Sequence, residues 1–375
     1  MIMYKVLIIG SGVLSTMVSE MLAWRNFPCQ VTIAARNENA ADEIVNLIKF
    51  TSENVGHTFH ISSRKINLDS VEEMAEIISD IEPDLIFNTA SVQSFWVVSE
   101  LPDHISKALW TAGVGPWTAC HAYPALQLMK AIKASGVKTM VVNAAFPDAV
   151  NPLLKGIALA PDIGIGNVSN ICQPIREAVS QILSSDISSI SVNMVAHHYV
   201  GNTIPSEGHA KGAPYYLSVK NNGEEVSQDM LPHDKIFKHI KTDLKRKRGK
   251  DGMFVTASSA VRIIEGFFGD KTIAAHAPGV RGLVGGYPVT IGRRTFDVAL
   301  NDDISLSDAI GINEKGQRYD GIDSIQDGYI RLKQESSDVM NALMGFGLGG
   351  YHISEVGEVS AELVQRYQAL RSKHV

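Results

Sequence analysis

The chain has 375 residues, of which 45% are hydrophobic and 20% charged, and its formal net charge is −6. This composition predicts a soluble globular protein of about two domains, and it excludes a disordered, collagen-like or coiled-coil chain. The acidic balance indicates no nucleic-acid partner, and no apolar run is long enough to cross a membrane. The three cysteines, at positions 29, 120 and 172, form no CxxC pair. We therefore expect a cytoplasmic protein without a metal site.

The first 150 residues alternate between short β-branched runs and segments with helical periodicity. The predicted strands are Tyr4–Ile9, Gln30–Ala34, Thr58–Ser62, Asp84–Thr89 and Thr139–Asn143. The predicted helices cover residues 13–22, 40–49, 71–81 and 122–135. Strands that alternate with helices of this length predict a doubly wound parallel sheet, and we assign it to residues 1–150.

The pattern changes after Asn151. Residues 189–196 alternate polar and apolar side chains, residues 296–300 do the same, and Asn222-Gly223 is typical of a hairpin turn. These features predict an α+β domain over residues 151–350, which would bind substrate and form the dimer contact. Residues 351–375 are expected to form a final helix, and the sequence leaves open whether this helix packs back on the first domain.

A glycine-rich turn joins the first strand to the first helix. Its residues are Gly10, Ser11, Gly12, Val13 and Leu14. A GxG turn between a buried strand and an amphipathic helix favours dinucleotide binding, because Gly12 lets a pyrophosphate approach the free N–H groups at the helix start. Ser15 takes the place of the usual third small residue.

The end of the second strand decides between the two nicotinamide cofactors. The sequence there is Ala34-Ala35-Arg36-Asn37, with no carboxylate before Glu38. An arginine at this position suits a 2′-phosphate, whereas NAD binding usually places an acid on the ribose diol. The sequence therefore favours NADP over NAD, although Arg36 on a solvated turn remains the simpler alternative.

Two further loops belong to this predicted cofactor site. Asp69 follows the third strand, where an acid often meets adenine in similar folds, and it equally suits a helix cap. Thr89, Ala90 and Ser91 close the fourth strand, where the loops beside a nicotinamide lie.

These motifs resemble the NADP-binding half of the saccharopine dehydrogenase-like family. The resemblance covers about 145 residues and rests on the glycine turn, Ala34-Ala35-Arg36, Asn67-Leu68-Asp69 and the segment 84–90. It implies an α+β substrate domain and NADPH-linked hydride transfer to an amino-acid-derived imine or oxo acid. The segment 112–121 departs from that family's pattern.

A second resemblance is to lactate and malate dehydrogenases. It rests on Asn143 and Pro147 after the fifth strand, and on Gly208-His209 in a later glycine-rich loop. It implies 2-hydroxyacid chemistry with a histidine as acid and base. That family also clamps the substrate carboxylate with arginines, and this sequence has none between Arg64 and Arg176. Two-domain dehydrogenases are often dimers, and by that analogy we expect a homodimer.

Hydride transfer needs a positioned acid and groups that hold the substrate. The candidate acids are His198, His209 and His121, and the candidate substrate ligands are Asn143, Asp148, His197, His276 and Arg281. Because neighbouring strand residues face opposite ways, we expect His197 or His198, but not both, to face a cleft. Asp148 suits a helix cap as well as a role in orienting a base.

The run 235–250 is strongly basic, with Lys241, Lys245, Arg246, Lys247, Arg248 and Lys250. We interpret it as a solvated helix face that ends in a loop, because no interleaved aromatic residues support base stacking. A non-catalytic dinucleotide sensor or scaffold remains a different class of function for the whole chain.

Overall fold

Three β-sheets and the helices packed on them make up the structure, a computed structural model that describes residues 3–247 and 249–374. The first sheet contains β1 (Tyr4–Ile9), β2 (Cys29–Ala35), β3 (His60–Lys65), β4 (Leu85–Asn88), β5 (Met140–Asn143) and β6 (Ile163–Gly164). Its helices are α1 (Val13–Trp24), α2 (Glu38–Asn54), α3 (Val71–Ile81), α4 (Asp103–Thr111), α5 (Thr118–Ser135) and α6 (Pro147–Lys155). All six strands are parallel, in the order β3-β2-β1-β4-β5-β6.

The second sheet is antiparallel. The chain continues through α7 (Val168–Leu183), β7 (Ile190–Ala196), α8 (His198–Glu207), β8 (Tyr215–Asn221), β9 (Glu224–Glu225), α9 (His233–Thr242), α10 (Phe254–Phe268), β10 (Ile273–Pro278), β11 (Gly286–Gly292) and β12 (Thr295–Val298). The strand order is β10-β11-β7-β8-β9, with β12 paired to β11. The predicted fold class, a doubly wound parallel sheet with a second α+β part, is confirmed.

A small third sheet was not predicted from the sequence. After α11 (Leu306–Gln317) the chain forms β13 (Ile322–Gln326), β14 (Tyr329–Leu332), α12 (Gln334–Met344), β15 (Gly350–His352) and α13 (Val356–His374). The order is β13-β14-β15, and the strands are antiparallel. These elements share a buried core with α4, α5 and α6, so α13 does pack against the first part of the chain.

Helices cover both faces of the first sheet, and the sheet extends past the predicted domain boundary. One face is covered by α1 and α2, and α10 packs against α1 in the same buried cluster. The other face is covered by α3 and α5. The parallel sheet continues to β6, beyond the predicted boundary at residue 150, because a two-residue strand leaves no periodic signal in the sequence.

Two surface expectations can be compared with the structure. In the basic run, Lys235, Lys238 and Lys241 are exposed on α9, while Arg248 lies outside the described residues. Within the described part of the chain, no helix is both long and apolar enough to cross a bilayer.

Candidate active site

The glycine turn between β1 and α1 leaves the start of α1 open. Gly12 is the N-cap residue of α1, no side chain caps that end, and a Cβ atom added to Gly12 would meet nothing within 4 Å. Gly10 has φ +110°, and its added Cβ would lie 2.6 Å from Thr89 Oγ1. Ser15 is buried, and its hydroxyl donates to Gly12 O at 2.7 Å. The turn therefore fits a pyrophosphate, because free N–H groups attract an anion.

Arg36 and its neighbours surround the predicted ribose position. Arg36 is exposed in the bend that follows β2. Asn37 caps α2 by accepting a hydrogen bond from Ala40 N at 3.2 Å. Asp69 is exposed and accepts a hydrogen bond from Tyr123 Oη at 2.9 Å, while the neighbouring Ser70 caps α3. Arg36 and Asp69 are thus exposed charged residues at this edge of the sheet.

Buried asparagines fix the ends of β4 and β5. Asn143 Oδ1 accepts from Asn88 Nδ2 at 3.0 Å and from Ala145 N at 3.0 Å. Asn143 Nδ2 donates to Asn151 Oδ1 at 2.9 Å. Thr89 Oγ1 donates to Ile9 O at 2.8 Å. Because both ends of the Asn143 amide are engaged by the protein, this residue shapes the edge of the sheet and is not free to bind a substrate.

Two adjacent histidines share one carboxylate oxygen. His197 Nδ1 and His198 Nδ1 each lie 3.0 Å from Asp320 Oδ2. His198 N donates to Asp148 Oδ1 at 3.0 Å, and Asn167 Nδ2 donates to Asp148 Oδ2. The sequence suggested a cap for its own helix as one role of Asp148, and the structure does not show that cap. The Asp148 side chain instead joins the start of α6 to the start of α8.

The two histidines differ in access. The His197 side chain is fully buried and its Nε2 has no hydrogen-bond partner, whereas the His198 side chain is 16% exposed. His198 Nε2 lies 2.8 Å from Asn202 Nδ2, one helical turn further along α8. Of the two histidines, His198 is thus the one whose side chain has solvent-accessible surface.

Burial and charge set the protonation of this cluster. Burial raises the pKa of Asp320, but His198 and His197 outweigh it and hold that pKa well below its usual range. Burial lowers the pKa of His198, but Asp320 and Asp148 outweigh it, so the net shift is upward from 6.5. Burial raises the pKa of Asp148 against the opposing effect of both histidines. An ionised Asp320 accepts hydrogen bonds only, so both Nδ1 atoms carry a proton and Nε2 of His198 is the exchangeable position.

The ring of Phe146 lies among three imidazoles. The centroid of the Phe146 ring lies 5.2 Å from the ring centroid of His198, 6.3 Å from that of His197 and 6.4 Å from that of His121. All three contacts are edge-on. Phe146 has φ +45°, an unusual conformation for a bulky residue, directly before Pro147. Such a conformation is held only where the surroundings enforce it, and such residues concentrate at functional sites.

Close glycine contacts position Asp320. A Cβ added to Gly113, whose φ is +77°, would lie 2.4 Å from the carbonyl carbon and oxygen of Asp320. A Cβ on Gly115 would lie 2.7 Å from the same oxygen, and one on Gly316 would lie 2.7 Å from His197 Cβ. The segment 113–115, which departs from the first family's pattern, therefore serves to seat the Asp320 turn.

Replacing Gly113 with alanine is expected to destabilise the protein by about 2 kcal/mol or more, because backbone strain and a backbone clash coincide there. Gly136→Ala is the matched control, since Gly136 has φ +69° but nothing within 4 Å of an added Cβ. Thermal unfolding of both variants measures the difference. Equal losses would show that the contact with Asp320 has no energetic weight.

The remaining candidates lie outside this cluster. His209 is exposed in the loop after α8, and its Nδ1 accepts from Lys211 N at 3.1 Å. His276 Nε2 accepts from Met194 N at 3.2 Å within the second sheet. Arg281 donates to Asp297 Oδ1 at 2.6 Å and to Phe296 O at 2.8 Å. The structure thus brings together His121, Asp148, His197 and His198 of the predicted residues.

Sequence reasoning missed Asp320, Phe146, Asn167 and Asn202. Asp320 lies more than 120 positions from the histidines and no local pattern marks it. The sequence did offer one signal for Phe146 and Asn167, which lie in the loops that follow β5 and β6, where functional groups of α/β folds gather.

Known proteins were compared with this chain at the level of sequence and of structure. No protein-family model matches, and no curated protein matches by sequence. Solved structures do match. A lactate dehydrogenase from a Medee basin deep-sea metagenome library has a TM-score of 0.58 at 13% identity, covering 85% of this chain and 97% of its own. This likeness establishes the fold.

Other dehydrogenases give the same result. The Plasmodium falciparum malate dehydrogenase has a TM-score of 0.58 at 13% identity over 90% of this chain and all of its own. The Cryptosporidium parvum lactate dehydrogenase, determined with lactic acid and nicotinamide adenine dinucleotide, has a TM-score of 0.54 at 16% identity, covering 97% and 99%. The predicted membership of the saccharopine dehydrogenase-like family is therefore wrong, because these neighbours are lactate and malate dehydrogenases.

Proposed function

We propose that this protein is a nicotinamide-dinucleotide-dependent oxidoreductase that interconverts a carbonyl compound and its alcohol. The observation that carries the proposal is the His198–Asp320 pair, which Asp148 joins to the end of the same parallel sheet that presents the open glycine turn. Ligands of open α/β folds bind at this edge. The fold shared with lactate and malate dehydrogenases supports the same class of chemistry.

The residues of the cluster have separate roles. The dinucleotide, when bound, supplies or accepts a hydride. In the reducing direction His198 donates the proton on Nε2 to the carbonyl oxygen, and in the oxidising direction it takes that proton back. Asp320 keeps the His198 ring oriented and stabilises its protonated form. Asp148 fixes the main chain of His198 and therefore the start of α8.

The proposed cofactor is NADP, with Arg36 on the 2′-phosphate. A charge-assisted hydrogen bond is worth about 1.5–3 kcal/mol, so we expect NADPH to bind about 10- to 150-fold more tightly than NADH. Arg36→Ala should remove most of that preference and leave NADH affinity nearly unchanged. Arg366→Ala, which removes a half-exposed arginine on α13, is the control. Calorimetry measures the affinities of all three proteins for both cofactors, and equal affinity of the wild type for NADPH and NADH would return NAD to first place.

A panel of carbonyl compounds with NADPH, followed by loss of absorbance of the reduced cofactor, tests the proposed reaction. We expect turnover with at least one class of carbonyl. Tight NADPH binding with no turnover on any compound would instead favour a dinucleotide sensor or scaffold.

The proposed substrate is a small molecule, and we propose that the protein works as a cytoplasmic homodimer. The three cysteines are buried and unpaired, which suits a reducing compartment. Light scattering during size-exclusion chromatography measures the mass, and a single species near 40.7 kDa would exclude the dimer.

A further inference from the structure

The charge around His198 has an excess of carboxylates. Asp148 is fully buried, and the Asp320 side chain is 5% exposed. In the described residues, the ion pairs of Asp320 are with the two imidazoles, and no lysine or arginine nitrogen lies within 4 Å of either carboxylate. His198 therefore faces two carboxyl groups and no nearby lysine or arginine in the described residues, an arrangement that does not favour a further negative charge.

His121 adds a neutral polar group to the same cluster. It lies on the first turn of α5 with its ring against Phe146. Burial and the nearby His198 lower the pKa of His121 to about 4, so it is uncharged at neutral pH. Its Nδ1 is buried without a hydrogen-bond partner. A buried polar atom of this kind costs free energy unless a ligand or water satisfies it.

Two cations that lie near the cluster along the chain have carboxylate partners of their own. Arg318, two residues before Asp320, pairs with Asp323. Lys211, in the loop after α8, pairs with Glu207 at 2.8 Å. These pairs leave each cation with a carboxylate of its own.

The arginines of the second sheet are engaged as well. Arg176 donates from Nε to Ile190 O at 2.8 Å, and Arg281 pairs with Asp297 at 2.6 Å. A substrate carboxylate at His198 would thus lose its water without gaining a lysine or arginine partner, beside an imidazole that Asp320 already pairs with, and burying a poorly paired charge is costly.

We propose that the site acts on carbonyl compounds that are uncharged beside the reacting carbon, such as 2-oxo esters, amides or simple ketones, in preference to free 2-oxo acids. This inference rests on the proposed oxidoreductase function. The proposed reaction transfers one hydride and one proton to each carbonyl group. The carbonyl carbon gains a hydride as the reduced dinucleotide is oxidised, the carbonyl oxygen gains the proton from His198 Nε2, and the product is a neutral alcohol.

Matched pairs of compounds test this proposal. Pyruvate, 2-oxobutyrate and phenylpyruvate are each compared with their methyl esters, with NADPH as cofactor, by kcat/KM at pH 7. We expect kcat/KM to be at least about tenfold higher for the ester of each pair. Binding is measured separately, by the change in fluorescence of bound NADPH on titration with pyruvamide or pyruvate, and pyruvamide should bind more tightly.

A substitution separates the charge of the site from the greater chemical reactivity of esters. His121→Arg introduces a cation into the cluster and should lower the ester-to-acid ratio by at least about tenfold, whereas His121→Gln keeps a neutral hydrogen-bonding group and should keep the wild-type ratio.

The two proposals fail in different ways. Higher kcat/KM or tighter binding for the acids would overturn the inference and leave the oxidoreductase function in place. The inference would also be overturned if folded His121→Arg protein had the same ester-to-acid ratio of kcat/KM as the wild type. No turnover of any pair, although NADPH binds, would overturn the oxidoreductase function, and the wild-type binding comparison would then decide the charge preference by itself.

Discussion

Replacing His198 with asparagine is expected to lower kcat by about 10²- to 10⁴-fold with little change in cofactor affinity, because the group that exchanges the substrate proton is lost. His60→Asn, which changes an exposed histidine on β3, is the matched control. Steady-state kinetics with a substrate from the carbonyl panel provide the measurement. Full turnover in the His198 variant and a large loss in His209→Asn would move the acid to the loop after α8.

The pH dependence adds an independent test of the same pair. The pKa of His198 is raised above 6.5 mainly by Asp320, against the opposing effect of burial. Reduction needs the protonated ring, so its rate should persist above pH 6.5 and fall as the pH rises through the raised pKa. Asp320→Asn removes the carboxylate, so burial should move the fall to lower pH. If the rate of reduction by Asp320→Asn fell at the same pH as that of the wild type, Asp320 would be excluded as the partner of His198.

Replacing Gly12 with valine is expected to weaken NADPH binding by at least about 100-fold without unfolding the protein. An added Cβ meets nothing within 4 Å, so the fold has room for the side chain, but this is the space that a pyrophosphate needs. Gly349→Val is the control, since Gly349 is exposed and also has nothing within 4 Å. Fluorescence titration gives the affinities and thermal unfolding verifies the fold. Unchanged NADPH affinity in a folded Gly12→Val protein would remove the site from this turn.

Local patterns in the sequence predict the first sheet well. The strand Tyr4–Ile9 is found at its predicted bounds, and the helix over residues 71–81 begins and ends where its apolar spacing indicates. Such elements are readable because hydrophobic periodicity and caps are local properties. The third sheet was not readable, because its strands are short and acquire their core only from α4, α5 and α6.

The candidate site was only partly predictable for a related reason. His197 and His198 stand out in the sequence because they follow an alternating strand. The carboxylate that both of them contact arrives from Asp320, on a turn seated by Gly113 and Gly115, and that proximity exists only in the folded chain. His197 is fully buried and His198 is partly exposed, yet both contact Asp320, because His198 already belongs to α8 and no longer follows strand geometry.

The crystal structure of the protein with NADPH tests the central claim most directly. We expect the pyrophosphate to lie at the start of α1 against Gly12, the 2′-phosphate at Arg36, and the nicotinamide ring beside Thr89 with its reactive face toward His198. A dinucleotide bound elsewhere, or one whose nicotinamide end is turned away from His198, would contradict the account.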